Sequence, residues 1–465
     1  MYNNVHFSLD GPDPANIRVI DHGCLPMISA MTQRGIRLDI PFMRNLDKRI
    51  TTKMMELENS ALASIGNAYQ DFTGKKYQPF NIGSPDHVAR LLFKHLQLAQ
   101  PGKVKLTPSK TREAVDDDVL SLLKSRHPVV PIISDWREAN KLHTTYTGDD
   151  CIISFADSNS YIHTKFNPTI AATGRLSSSN PNLQNIPVRT KEGAEVRKAF
   201  LASPGWQLVS NDLSQIEMRW AAHRSKDPVM MNVFWKKEDI HTRTACNVYG
   251  LDYEKVMAVA TACDNGTATS EQQAWYKTFK KEKRLPCKTV GFGVLYGQTA
   301  LGLQSSLASE GVYLSEAECQ ELIDSKFFLV YAKIREMLAR DHGIAYRYAM
   351  MWDDFGRVRL VPEAKSCHSW ISDAGVRKAG NHPEQAGAQN GLKLAMAQIW
   401  DQLLRDFKGW VYPVLQIHDE LIHDCHPDVS EQFAFECGEI MKDAVPMDVP
   451  VESSSDIAER WGDLK

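Results

Sequence analysis

The chain has no long apolar run, because no stretch of roughly 18 consecutive apolar residues occurs in it. The first ten residues, Met1 to Asp10, also lack a cationic region followed by an apolar one. We therefore expect neither a membrane span nor a secretory signal. The protein should stay in the cytoplasm where it is made, which is the bacterial host's cytoplasm if a phage encodes it.

Paired cysteines are absent as well. The nine cysteines are scattered without a Cys-x-x-Cys pair, which is typical of reduced thiols rather than of a disulfide framework. His418, His423, Cys425 and His426 lie close together in the sequence, but strand alternation would send their side chains to different faces. We do not expect a zinc site.

Excess positive charge is missing too, since the formal net charge is −3 and the pI is near 6.6. This balance argues weakly against a protein that depends on phosphate affinity alone. Distribution matters more than the total, because six cations are concentrated between positions 277 and 288. The run from Lys277 to Lys283 is interpreted as a solvated charge run.

The most informative stretch has two cations and two aromatics at a constant spacing of four: Arg284, Lys288, Phe292 and Tyr296. In an α-helix each step of four advances by roughly 40° and roughly 6 Å, so the four side chains form one stripe about 18 Å long. The cations suit a triphosphate and the rings suit a sugar and a base. The alternative is an amphipathic helix with solvated cations and packed rings.

Two further segments supply carboxylates. Asp212 follows a short apolar run and precedes helix-like spacing, which predicts that it lies at a strand end. Asp419 and Glu420 lie between two β-rich runs, as at the turn of a hairpin. Two acidic residues at a tight turn need a cation, and Asp212 with Asp419 suits a pair of Mg²⁺ ions acting on a phosphoryl group. Taken singly, either Asp is more often a turn or cap residue.

Together these segments resemble the three sequence motifs of family A DNA polymerases, the DNA polymerase I group. The segment from Thr173 to Arg189 is similar to the family's signature ahead of its first catalytic Asp. Arg377, Asn381 and Gln385 have the family's spacing for template and primer contacts. The resemblance runs in the family's order from about Cys24 to the C-terminus.

The resemblance implies a role for each matching residue. The catalytic group would be Asp212, Asp419, Glu420 and Lys288, and two Mg²⁺ ions, which Mn²⁺ could replace, would be held by Asp212, Asp419 and the carbonyl of Leu213. The dNTP would be bound by Arg284, Lys288, Phe292, Tyr296, Gln215, Glu217 and His241. Primer-template DNA would be contacted by Thr173, Arg175, Arg377, Asn381, Gln385, Gln416 and His418. Phe rather than Tyr at position 292 further predicts poor use of dideoxynucleotides.

The implied fold is α+β and mostly helical, a right hand with palm, fingers and thumb, in which the palm is an antiparallel sheet. We expect a poorly ordered lead-in at 1–21, a palm segment and thumb base at 22–78, the thumb at 79–150 with a mobile tip at 97–118, palm at 151–220, fingers at 221–375 and palm again at 376–465. Pro286 departs from the family pattern, so the stripe helix could start late and leave Arg284 in its first turn or cap.

The implied activity is template-directed addition of dNTPs to a primer 3′-hydroxyl, in DNA replication or repair, by a monomer. No exonuclease-like set of acidic residues occurs in the first hundred positions, so we expect no 3′→5′ proofreading and no 5′ nuclease in this chain. Such a form suits a phage or virus whose exonuclease, helicase or processivity factor are separate chains. Two rivals remain: a related single-subunit RNA polymerase, and an inactive primer-template binding factor.

Overall fold

The computed structural model describes residues 5–8, 11–66, 69, 71–73, 76–99, 106–107, 109, 112–187 and 190–464. Parts of the expected lead-in and thumb tip, and Val188 and Arg189 of the signature segment, lie outside the described residues. No helix in the described ranges is long and apolar enough to cross a membrane.

The N-terminal third is mainly helical. Its elements are α1 (Pro14–Arg34), β1 (Ile36–Leu38), α2 (Ile40–Ile65), β2 (Asp71–Thr73), β3 (Lys76–Gln78), α3 (Pro85–Ala89), α4 (Asp117–Leu123) and α5 (Val129–Leu142). Helix α1 begins inside the expected lead-in, because Asp13 accepts a hydrogen bond from the Asn16 amide and Pro14 is preset for a first helical turn. Ser84 caps α3, since its side chain accepts a hydrogen bond from the His87 amide.

The chain then alternates short strands with helices. These are β4 (Tyr161–Ile162), β5 (Lys165–Asn167), β6 (Ser177–Ser179), α6 (Lys191–Lys198), β7 (Phe200–Leu201), β8 (Gln207–Leu213) and α7 (Ile216–Ser225). The helix-like spacing after Gln215 is confirmed. Gln215 itself has a left-handed backbone, with φ 55°, and turns the chain sharply from β8 into α7.

A long helical region follows α7. It comprises α8 (Pro228–Trp235), α9 (Ile240–Tyr249), α10 (Tyr253–Asp264), α11 (Ser270–Phe279), α12 (Leu285–Leu295), α13 (Ala300–Ser309), α14 (Glu316–Glu321), α15 (Phe328–Val330), α16 (Ala332–Tyr348), β9 (Met350–Trp352), β10 (Val358–Leu360) and α17 (Ser369–Gly380). Side chains cap several of these helices at their N-termini, including Asp227, Asp239, Asp252 and Thr269.

The last part contains α18 (His382–Gln398), α19 (Leu404–Asp406), β11 (Val411–Ile417), β12 (Glu420–Cys425), α20 (Ser430–Asp443) and β13 (Ser453–Ala458). Wider, π-helical turns extend or join helices along the chain at Arg90–His95, His143–Thr147, Lys280–Arg284, Leu322–Phe327 and Ile399–Leu403.

Four strands form the main antiparallel sheet, in the order β11, β12, β8, β13. Helices α1, α18 and α20 contribute to the hydrophobic core that covers this sheet, with Met27, Leu392, Leu421 and Phe433 among its buried members. We call this lobe the palm. A second sheet, in the order β4, β1, β7, shares the same core.

Two further cores define two more lobes. One is built from Ala61, Leu91, Leu123 and Ile133, among others, and we call this lobe the thumb. The other combines Val290, Leu307, Phe327 and Ile334 with their neighbours, and we call it the fingers. Separate apolar cores allow each lobe to keep its own packing while its position changes.

Candidate active site

Asp212 and Asp419 meet at one end of the palm sheet. Asp212 is the last residue but one of β8, and Asp419 lies in the turn that joins β11 to β12. Antiparallel pairing places Glu420 directly opposite Asp212, and the Leu213 amide donates to the Asp419 carbonyl at 3.2 Å. The predicted strand end and hairpin turn are therefore confirmed, and they bring the acidic residues together.

An open cleft of about 1490 Å³ runs from this sheet end to the fingers. Its wall contains all ten residues expected to bind metal or dNTP: Asp212, Leu213, Gln215, Glu217, His241, Arg284, Lys288, Phe292, Tyr296 and Asp419. His418, which was expected to contact DNA, lines it as well. Glu420 does not line it and instead accepts a hydrogen bond from Ser210 at 2.5 Å. The carboxylates and the cation–aromatic stripe thus face the same space.

Burial disfavours the charged form of both Asp212 and Asp419. Burial, and next the charge of Glu420, raises the pKa of Asp212 to about 6. Burial raises the pKa of Asp419 to about 7, helped by Glu217 and Asp212 and opposed by Arg175. In the described part of the chain, no group donates a hydrogen bond to either carboxylate. Acceptor groups kept half-buried in this way suit a hard cation.

The cation–aromatic stripe occupies one face of α12, with Arg284 at the helix cap and Pro286 in its first turn. The rings of Phe292 and Tyr296 are nearly parallel, 6.5 Å apart at 15°. The His241 ring from α9 lies 5.4 Å from that of Phe292. Arg284 thus takes the expected cap position, but the late helix start suggested by Pro286 is wrong, because the π-helical turn Lys280–Arg284 continues α11 directly into α12.

Arg284 does not lie free in the cleft. Its Nε and Nη2 are 3.0 Å and 2.9 Å from Oδ2 of Asp239, and Nε also lies 3.0 Å from Oγ1 of Thr242. Burial raises the pKa of Asp239, but the hydrogen bonds from Thr242 and the charge of Arg284 outweigh it and lower that pKa. The sequence patterns assigned Asp239 no role, although an aspartate directly before a helix is a common N-cap residue.

His241, beside Phe292, is held in its neutral form. Burial lowers the pKa of His241 to about 4, and the nearby charges of Arg284 and Lys288 add to this effect against that of Asp239. At neutral pH the imidazole therefore offers one donor and one acceptor and carries no charge.

Glu217 contacts two other expected functional residues. Its carboxylate forms an ion pair with Arg175 and accepts a hydrogen bond from the Tyr296 hydroxyl. Burial, and next the charge of Glu217, raises the pKa of that hydroxyl. Glu217 and Tyr296 both line the cleft, and Gln385 also contributes a hydrogen bond to Tyr296.

The other residues expected to contact DNA do not line the cleft: Thr173, Arg175, Arg377, Asn381, Gln385 and Gln416. Gln416 is fully buried and accepts a hydrogen bond from Gln184 at 2.8 Å. Arg377 packs so close to Gly297 that an added Cβ there would lie 2.8 Å from the Arg377 Cβ. Thr173 makes no hydrogen bond to any of the expected site residues that the structure describes.

One further cation near the carboxylates was missed from the sequence. Arg197 on α6 stacks over the Trp461 ring at 4.4 Å, and its charge acts on Glu420. Its Nε has no partner among the described residues. Nothing in the spacing of α6 marks this arginine, because the contact depends on how the C-terminus folds back onto the palm.

Comparison with known proteins identifies the fold. The chain superimposes on the POL domain of Pol1 from M. smegmatis, a structure in complex with DNA primer-template and dNTP, with a TM-score of 0.79 and 30% identity over 95% of this chain and 70% of that chain. The fold is the α+β, mostly helical right hand, with an antiparallel palm sheet, fingers and thumb.

The sequence comparison then gives the family. The model of DNA polymerase family A matches residues 42–261 and 265–463, so the chain belongs to that family. It is 34% identical over 439 residues to the thermostable DNA polymerase I of Thermus filiformis and 33% identical over 444 residues to that of Thermus aquaticus. These alignments cover 94% and 96% of this chain but 47% and 48% of those proteins, so the chain spans about half their length.

Proposed function

We propose that the chain is a DNA-directed DNA polymerase, which adds dNTPs to a primer 3′-hydroxyl on a DNA template and releases pyrophosphate. The observation that carries this proposal is the shared cleft, in which Asp212 and Asp419 face the Arg284–Lys288 side of α12. Phosphoryl transfer needs little covalent chemistry from side chains, so a wall of carboxylates opposite a wall of cations is the main requirement.

Mg²⁺ fits the donor set on the palm side. Asp212 and Asp419 are oxygen donors with raised pKa values, which a divalent cation would lower again. No group of three or more His, Cys, Asp or Glu capable of holding a metal occurs within the described ranges. Two carboxylates suit Mg²⁺, which takes its other ligands from substrate phosphates and water. When bound, two such ions would lower the pKa of the primer hydroxyl and neutralise the leaving pyrophosphate.

The remaining roles follow from position. Arg284, Lys288 and His241 would bind the triphosphate, with Lys288 also able to protonate the leaving group. Phe292 and Glu217 would crowd the sugar and reject a 2′-hydroxyl, and Gln215 would lie beside the incoming nucleotide. Tyr296 would stack at the templating position.

Primer-template DNA would lie along the end of the cleft formed by the palm. The residues that would contact the primer end and the minor groove, where all base pairs offer similar acceptors, are Arg175, Asn381, Gln385, Gln416 and His418. Arg377 would meet the template, and Thr173 would also contact the DNA.

The lobes would have the residue ranges expected from the sequence. We propose a palm segment and the thumb base at 22–78, the thumb at 79–150, the fingers at 221–375, and the rest of the palm at 151–220 and 376–465. This division is supported by the three separate cores, whose members fall largely within these ranges.

The test is extension of a labelled primer with Mg²⁺ and either dNTPs or rNTPs. Wild type should extend with dNTPs only, and Asp419→Ala should lose more than about a hundredfold in rate. Asp428→Ala is the matched control, because Asp428 is an exposed aspartate after the same hairpin, outside the cleft. A mismatched primer end in the same assay tests the expected lack of proofreading.

Other outcomes separate the rivals. Extension with rNTPs would indicate an RNA polymerase. Binding of the primer-template without extension by wild type would instead indicate the binding factor.

A further inference from the structure

The N-terminal end of α17 carries an unusually exposed tryptophan. Trp370 has 71% of its surface in solvent, and its one aromatic neighbour in the described part of the chain is His368, whose ring is 6.5 Å away at 27°. A single exposed apolar side chain needs no explanation by itself. The functional interpretation of Trp370 depends on its position on α17 relative to Arg377.

Trp370 and Arg377 lie on the same side of α17. They are seven residues apart, which is two helical turns, so they differ by about 20° in azimuth and about 10 Å along the axis. Ser372, Gly375 and Ala379 are buried on the opposite side. The side with Trp370 and Arg377 therefore faces away from the small core around Ala364 and Val361, on which α17 packs.

The order of contacts along α18 and α17 gives this surface a direction. Gln385 on α18 forms a hydrogen bond with the Tyr296 hydroxyl. Arg377 on α17 packs over Gly297, which follows Tyr296 in the chain. Moving along α17 from Arg377 to Trp370 therefore leads away from Gly297 and Tyr296. The distance from Arg377 to Trp370, about 10 Å, corresponds to roughly three stacked bases at about 3.4 Å each.

The charges around Trp370 are mixed. Arg359 reaches the C-terminal end of α17, where its Nη1 donates to the Lys378 carbonyl at 3.4 Å, and Lys378 forms an ion pair with Glu363 at 2.9 Å. Asp373 is exposed on the same side of α17 as Trp370. A ligand would therefore gain more from the ring than from net charge, which is how sequence-tolerant single-strand sites use aromatic side chains.

We infer that the ring pair of Trp370 and His368 is a stacking platform for the unpaired template strand ahead of the active site. The inference rests on the proposed function, because that function places the templating base at Tyr296. Single-stranded DNA is the one occupant that continues from Arg377 in this direction, and every base has a flat face that Trp370 can cover.

Binding is measured with one duplex carrying a template overhang of either one or six nucleotides. Wild type should prefer the long overhang. Trp370→Ala should weaken binding of the long overhang by about fivefold or more and leave the short one unchanged, while Trp370→Phe should retain most of the preference. Trp235→Ala is the matched control, because Trp235 is 62% exposed on α8.

A second readout places 2-aminopurine at the third unpaired template position. Stacking on Trp370 should quench its fluorescence in wild type and in Trp235→Ala, and Trp370→Ala should restore it. Equal loss of affinity for both overhangs, or no loss for either, would overturn the inference.

Extension by wild type on the short overhang tests the proposed function separately. If wild type extends that primer and Trp370→Ala binds both overhangs as wild type does, the stacking platform fails and the polymerase does not. If wild type binds but never extends, the proposed function fails.

Discussion

Arg284, which lines the cleft, forms an ion pair with Asp239, with 2.9 Å between Nη2 and Oδ2. Asp239 also caps α9, so the pair ties the N-terminus of α9 to that of α12. A guanidinium has five N–H donors, and this contact leaves several of them free to face a triphosphate. Asp239 therefore acts as a positioning residue for Arg284.

Asp239→Asn is expected to raise the KM for dNTP about fivefold to twentyfold, because a charged hydrogen bond that orients Arg284 is lost. The kcat should change by less than about threefold, since asparagine can still cap α9. Steady-state extension kinetics at saturating primer-template measure both constants.

Asp252→Asn is the control for that substitution, because Asp252 caps α10 by the same type of bond to the Lys255 amide at 3.2 Å. A double-mutant cycle with Arg284→Ala tests the route of the effect. If Asp239→Asn still raises KM in the Arg284→Ala background, Asp239 does not act through Arg284.

Lys288 is exposed in the cleft and forms no ion pair with any described residue. Lys288→Ala should therefore lower kcat/KM for dNTP by about a hundredfold, because an unpaired cation is removed from the triphosphate site. Lys281→Ala should stay within about twofold of wild type, since Lys281 lies in the run interpreted as solvated. Equal effects of the two substitutions would contradict both assignments.

Local spacing explains which parts of the site could be predicted from the sequence. The α12 stripe and the strand-end position of Asp212 depend on helix and strand periods that can be counted along the chain. The pair of Arg284 with Asp239 could not be found in this way. It depends on the packing of α9 against α12, which joins residues 45 positions apart.

The start of α1 illustrates a different difficulty. The Asn, Asp, Pro and Gly content before His22 resembles a disordered lead-in, yet Asp13 and Pro14 are also a helix-start signal. A tertiary contact stabilises the helix, because Asn16 is buried and its Nδ2 donates to the Phe355 carbonyl at 2.9 Å. Amino-acid composition alone cannot predict that contact.

Phe292→Tyr should increase the use of dideoxynucleotides relative to dNTPs by more than about tenfold, because its hydroxyl can replace the missing 3′-hydroxyl as a hydrogen-bond donor. Extension with dNTPs alone should remain within about twofold of wild type. Competition between ddNTP and dNTP at one template position measures the ratio. Phe435→Tyr is the control, because Phe435 is 67% exposed on α20, and a similar increase there would contradict the assignment of Phe292 to the sugar site.

His423 makes the fold sensitive to acid. It is fully buried on β12 against Phe433, with 4.7 Å between ring centroids, and neither ring nitrogen has a partner among the described residues. Burial lowers the pKa of His423 to about 3. In the unfolded state the histidine takes up a proton near pH 6.5, whereas in the folded state it stays neutral at that pH. The free energy of unfolding therefore falls as the pH drops below about 6.5.

His423→Leu should remove this contribution, which reaches about 1.4 kcal/mol per pH unit between pH 6 and 4. It should also raise stability at pH 7, because two unpaired buried polar atoms are replaced by an apolar side chain. Urea unfolding at pH 7, 6 and 5 measures both effects, with exposed His22→Gln as the control. Parallel loss of stability in wild type and His423→Leu as the pH falls would show that other groups cause the acid sensitivity.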